Sequence, residues 1–404
     1  SNGGSIALLA DLDVSQTAAG ATVTTTGGAN ILAIAWNGSV EMDSATSTLT
    51  AGGNIRYWAD GDIKVARLDT RDVATQDDWG HVSVWSFNGS IVDATAVGDA
   101  SENVFSRQLS LIAANSLGAD GMRLKIETGT IAAAAGAGGI YIDDASSLTV
   151  GTVDKVSVYR VLANGNRALA DQPVGLRGIV TRAAGDLILS VGNDLQVEDV
   201  IIIDGVVDID TVTMTVNASL TGGGAVTITN AGTAAINAAI TAAGSVHFDD
   251  ATTGSISLGA DIETTDAGFE IAVDAAPITL TGDVTLTTNA GVITLDKILD
   301  DGGAHTLTID TGTATVTFED NVGAAGLPLG ALVIDRAGDV HFSGATATVD
   351  VGVLVIGRTA RIADVTFDAT VTVDEYVDII TGTFTLDAPL TAGETISIAH
   401  TDQA

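Results

Sequence analysis

GNIRYWADGDIKV, residues 53–65, returns in altered form as GGIYIDDASSLTV (138–150) and GDLILSVGNDLQV (185–197), and the three superpose without a gap. They share Gly-x-Φ-x-Φ, with Φ apolar, then five variable positions and Φ-x-Val. A second phrase, GSVHFDDATTG (244–254), comes back as GDVHFSGATAT (338–348), an offset of 94. The offsets of 47 and 94 are two and four times about 23.5, which predicts rungs of about 20–29 residues, longer toward the N-terminal end.

Within each unit the apolar residues alternate with period two, as in VTMTV (212–216), AVTIT (225–229) and DVTLT (283–287). Val and Thr favour strands, and Gly, Asn and Asp punctuate the runs. Helical periodicity is nearly absent. Short strands, frequent turns and this period describe an all-β chain, a parallel β-helix (β-solenoid) of about three strands per rung with inward Val/Ile/Leu/Ala columns. A tandem β-sandwich needs more strands than about 23 residues supply. RVLANGNRALADQPVGLRG (160–178) breaks the alternation and reads as an excursion loop. It divides a longer-runged section, 1–159, from a more regular acidic section, 179–404.

The composition sets further bounds. The 404 residues include 46% hydrophobic ones and no Cys, so disorder, a disulfide scaffold and thiolate metal sites are excluded. The formal charge is −35, and residues 183–404 carry 28 of those net negative charges. Such a surface repels nucleic acid and anionic membranes. No apolar run approaches the ~20 residues that span a bilayer, so no membrane insertion is expected.

Aromatic residues make up only 4% of the chain, yet all four tryptophans fall between Trp36 and Trp85. NILAIAWNGSV (30–40) matches HVSVWSFNGSI (81–91) position for position, with NIRYWADGDI (54–63) between them. Aligned, Ile31, Ile55 and Val82 form one inward column, and Ala33, Tyr57 and Val84 another. The column of Leu32, Arg56 and Ser83 is the mixture expected outside. By parity Trp58 and Trp85 also point outward, as do Trp36 and Phe87. The expected result is an aromatic ridge on one face, continued by Tyr141 if the register holds to 138–150. Such a ridge could stack on sugar rings, or be covered by the 93–108 loop, the 160–178 excursion or a neighbouring chain.

GGNIRYWADGDIKVARLDT, GHVSVWSFNGSIVDA, LSLIAANSLGADGMRLKIETGTIAAAA and GGIYIDDASSLTVGTV in succession resemble the repetitive shaft of filamentous-haemagglutinin-like giant bacterial surface proteins, and VTFEDNVGAAGLPLGALVI (316–334) resembles another phrase common in large exported adhesins. The resemblance covers most of the chain and is specific to an architecture, not to a ligand. It implies a right-handed β-helix, a cell-surface or extracellular location and an adhesive role toward a glycan or a host or neighbour-cell surface. Departures are the missing amino-terminal secretion domain and the lack of an RGD tripeptide.

The residues point away from catalysis. Parallel β-helices host polysaccharide hydrolases and lyases, but the NTD, GHG and RIK elements of the galacturonase type do not occur. The acid–base pairing that lyases need lacks basic groups where the repeat is most regular. No catalytic residue and no organic cofactor is therefore expected. Acidic pairs recur in turns, at Asp77-Asp78, Asp143-Asp144, Asp249-Asp250 and Asp300-Asp301. Stacked turn carboxylates could share Ca²⁺, which takes six to eight oxygens; solvated turn acids are the alternative. His247 and His341, equivalent in the second phrase, would lie four rungs apart, too far to share a metal. NGS at Asn37 and Asn88 and NAS at Asn217 fit a glycosylation pattern. SIALLADLDV (5–14) and TGTFTLDAPLTAG (381–393) are strand-like, so self-association end to end or through the ridge is expected.

Overall fold

The computed structural model describes residues 4–400 except 73–74, 163, 165, 171–174, 231, 251–253, 269, 275–276 and 344–346. Parallel strands stack as a β-solenoid of about 17 turns, with no α-helix among the described residues. Two compact units divide the chain, Ser1–Val212 and Thr213–Ala404.

In the first unit three strands make a turn. One face stacks Ile6–Ala10, Ile31–Ala35, Ile55–Ala59 and His81–Ser86, followed by parts of Val104–Ala113 and Leu124–Ala134. A second face stacks Val14–Gln16, Val40–Met42, Ile63–Val65, Ile91–Asp93, Ser116–Leu117 and Gly139–Asp144. A third begins with Thr22–Thr24, Ser47–Leu49 and Leu68–Asp69. The register is strictly residue over residue: Ile31, Ile55, Val82, Leu109 and Ile131 form one column, all fully buried. Each such side chain contributes roughly 1.5–3 kcal/mol by leaving water, which is why period two specifies the register.

Turn lengths follow the expected gradient. Ile55 to Val82 and Val82 to Leu109 are 27 residues each, whereas Val377 to Ile396 in the second unit is 19. In that unit Val246, Ile271, Ile293, Val316 and Val340 are successive partners, which places His247 and His341 four turns apart.

One offset has a different origin from the one the repeat suggests. Ile140 pairs directly with Leu187, so the 47-residue spacing is a single turn carrying an insertion and not two turns. The insertion opens at Thr152–Val153, antiparallel to Leu176–Arg177, and continues as a hairpin of Val158–Val161 and Arg167–Ala170. Its antiparallel pairing thus starts eight residues before position 160.

The alignment of 53–65 with 138–150 does not carry over to the faces. Ile55 belongs to the first face, whereas Ile140 stacks on Leu117, Ile91 and Ile63 of the second. A strand–turn–strand phrase with period two fits any corner of the coil, so similarity of phrase does not fix the face.

Candidate functional site

The outward side of the first face carries the aromatic residues. Ile34, Trp58, Trp85, Ile112 and Ala134 form one outward column. The Trp36 and Trp58 rings lie 5.3 Å apart at 54°, and those of Trp85 and Phe87 lie 6.4 Å apart at 50°. Trp36 and Phe87 are exposed at 47% and 52%. Tyr141 is not part of this column; it pairs with Ile188 on the second face.

Part of the outward side is covered by the insertion hairpin. Val156 and Val158 are fully buried against Leu32 and Ile34, with Ala7, Trp58 and Ala170 packed around them. The Asn54 side-chain amide donates to the Ser157 carbonyl at 2.9 Å, and Arg56 Nη1 donates to the Ala170 carbonyl at 3.2 Å. Leu32, Arg56 and Ser83, expected to be exposed, are outward in parity but buried, Leu32 and Arg56 against the insertion. Outward and exposed are separate properties once an insertion folds back.

Beyond the hairpin the side remains open. Trp85 and Phe87 form one end of a trough of about 340 Å³, floored by Ile112, Ala114, Ala134 and Gly136, with Arg182 at the far end. Trp85, Ile112, Ala134 and Val180 are register partners, three turns in all. Two residues further along lie Phe87, Ala114, Gly136 and Arg182. A Cβ at Gly136 would sit 1.9 Å from the Ala114 carbonyl oxygen, so this turn packs too closely on its neighbour for any other residue. Arg182 precedes two alanines with left-handed backbone, Ala183 (φ 57) and Ala184 (φ 66). That turn is clamped by Asp204 Oδ2, which accepts from Ala183 N at 2.7 Å, and by Thr181 Oγ1, which donates to the Gly185 carbonyl at 2.7 Å. The sequence reading missed Ala114, Ala134, Gly136 and Arg182. The one available signal was the small-residue run TIAAAAGAGG (130–139).

The fourth tryptophan has a different setting. Trp79 is buried edge-on to Phe105, whose face carries the Arg71 guanidinium 3.5 Å from its centroid. Arg71 and Arg67 both pair with Asp69. Burial pushes the Asp69 carboxyl up, but the hydrogen bonds from Arg71 and Arg67 outweigh it and hold the carboxyl below its ordinary value.

The acidic pairs are placed one by one. Asp143 and Asp144 alternate along a strand: Asp143 pairs with Arg123 at 2.9 Å, while Asp144 is buried and accepts from Ser146 N and Oγ at 2.7 and 2.9 Å. Burial pushes the Asp144 carboxyl up to about 6, against those hydrogen bonds. Asp249 is exposed, and the side chain of Asp250 lies outside the described residues. Asp300, Asp301 and His305 cluster. Asp300, however, accepts from Gly302 N, Ala304 N and His305 N at 2.7–2.9 Å, and Asp301 Oδ1 accepts from Gly303 N. These oxygens close a turn. Asp77 and Asp78 sit in the short 3-10 turn Gln76–Asp78 and are exposed.

No family model, curated protein or solved structure matches the chain. Among the described residues no helix is long and apolar enough to cross a membrane.

Proposed function

We propose that the chain is a structural and adhesive shaft segment of an extracellular bacterial surface protein, of the filamentous-haemagglutinin-like kind. The observation that carries this reading is the use of corner side chains to tie each turn to the next. Asn30 Oδ1 accepts from Asn54 N, and Asn54 Oδ1 from His81 N. Asn37 donates to Asp11, Asn88 to Asp60, and Asn237 to Asn217. Polar groups that an enzyme would aim at a substrate here serve the scaffold, and the three sequon asparagines are among them. The open part of the aromatic face supplies the adhesive element. Self-association end to end or through that face belongs to the same proposal.

Protease shaving of intact source cells, followed with an antibody to this chain, tests the location. Loss of the antigen without cell lysis is expected; an antigen protected until lysis overturns the proposal. Light scattering of the purified chain tests assembly: mass should rise with concentration, and more steeply at high salt, which screens the −35 charge.

A further inference from the structure

Resting on the adhesive reading, we infer that the Trp85–Arg182 trough binds a short saccharide bearing a single carboxylate, such as a uronic-acid-terminated disaccharide.

The two ends of the trough differ in chemistry. At one end Trp85 and Phe87 offer ring faces whose negative quadrupole attracts the C–H groups of a pyranose. Across the floor, Ala114 and Ala134 leave space that larger side chains would fill, and Gly136 lets the turns pack closely beneath it. Three turns separate Trp85 from the level of Arg182, about 14 Å at the ~4.8 Å strand spacing, which accommodates about two sugar rings laid along the solenoid. The far end is a guanidinium, the group whose paired N–H donors match a carboxylate in two parallel hydrogen bonds.

Arg182 differs from the six cations of its unit that are committed to an ion pair. Lys64, Arg67, Arg71, Arg123, Lys125 and Arg177 each pair with a carboxylate. Arg182 enters no ion pair among the described residues, and it is exposed. Its own turn is held in an unfavourable left-handed backbone region by Asp204. The backbone that carries Arg182 is thus held in place, and its exposed guanidinium is open to an external anion.

The charge of the chain limits which anion. A net −35 repels a polyanion along its whole length, whereas one carboxylate within a Debye length of Arg182, about 8–10 Å, feels mainly the local guanidinium. The geometry therefore favours a short monoanionic sugar over a highly charged polysaccharide.

Titration calorimetry of the full purified chain tests this with three probes: cellobiouronic acid, its neutral counterpart cellobiose, and a heparin decasaccharide. The uronic acid should bind at least tenfold tighter than cellobiose. Arg182→Gln should abolish that preference while leaving the circular dichroism spectrum unchanged, and Arg182→Lys should restore only part of it. Trp85→Ala should weaken both sugars together. Absence of binding by both disaccharides, a preference that survives Arg182→Gln, or heparin binding tighter than the uronic acid would each overturn the inference. None of these outcomes bears on surface location, which the shaving experiment decides separately.

Discussion

Arg56 Nη1 donates to the carbonyl oxygen of Ala170 at 3.2 Å, joining the outer side of a solenoid face to a hairpin 114 residues further along the chain. Next to this bond Val158 fills an apolar pocket over Leu32 and Ile34, fully buried. Val158→Ala removes two methyl groups there and should destabilise the first unit by about 2 kcal/mol. Trp58 packs at the edge of the same cluster, so its fluorescence should shift to the red and the hairpin should become a preferred cleavage site in limited proteolysis. Unchanged cleavage and emission would show that the hairpin does not depend on this contact.

Inside the coil, the hydroxyls of Tyr57 and Thr48 lie 2.6 Å apart. Burial pushes the Tyr57 phenol up to about 12, and the Thr48 hydrogen bond offsets this only in part. Because the folded value exceeds the unfolded value near 10, the folded state holds the proton longer. The stability tied to this group is present below pH 10 and is lost as the pH rises through 12, by roughly 2–3 kcal/mol. Tyr57→Phe should therefore flatten the alkaline unfolding profile while costing about 1 kcal/mol at neutral pH through the lost hydrogen bond. An unaltered alkaline slope would contradict the burial argument.

Asp144 gives the acid-side counterpart. Its folded value near 6 lies above the ordinary 3.8, so the stability it confers is present below about pH 4 and lost as pH rises through 6. Asp69 and Asp93 shift the other way, so the effect is best read as a difference between proteins. Relative to wild type, Asp144→Asn should be more favourable at pH 7.5 than at pH 4.5 by roughly 1–3 kcal/mol in denaturant titrations. A difference independent of pH would refute the shift.

How much could be read in advance depended on the range of the interaction. The coil was legible because a period-two pattern places Ile31, Ile55 and Val82 in one column whatever lies elsewhere. The cover over Leu32 was not, since the hairpin that buries it enters more than 120 residues later and no local pattern links the two. Tyr141 was misplaced because similar phrases occupy different corners. Arg182 was invisible for a related reason: the strand that leads into it, Ile179–Val180, pairs with Ala133 and Ala134, from which the whole insertion separates it in sequence.

The Asp300 turn allows a test with metal. Three backbone N–H groups already occupy its carboxylate, and a Ca²⁺ ion would have to displace them. Millimolar Ca²⁺ should raise the melting temperature no more than NaCl of equal ionic strength. Asp300→Ala should cost about 1.5–3 kcal/mol with or without the ion, as expected for charge-assisted hydrogen bonds. A calcium-specific rise that Asp300→Ala abolishes would turn the cluster into a binding site.

Three phenylalanines in the second unit provide the most quantitative test of the column architecture. Phe318, Phe342 and Phe367 are register partners on successive turns, and all are buried. Their rings stack at 4.6 Å with interplanar angles of 9° and 13°. Free aromatic pairs prefer offset or edge-on geometry; here the strand spacing of ~4.8 Å imposes the stack. Removing the middle ring should therefore be felt on both sides. Phe342→Ala is expected to cost about 3–5 kcal/mol, and Phe342→Leu roughly 1–1.5 kcal/mol, since leucine keeps most of the volume but not the flat contact. The near-ultraviolet phenylalanine bands should weaken in both variants. The decisive measurement is the double-mutant cycle of Phe318→Leu with Phe342→Leu. Touching rings should give a coupling of at least about 0.5 kcal/mol. Strict additivity would mean that each ring is held by its own turn alone and that the stack follows from the register without stabilising it.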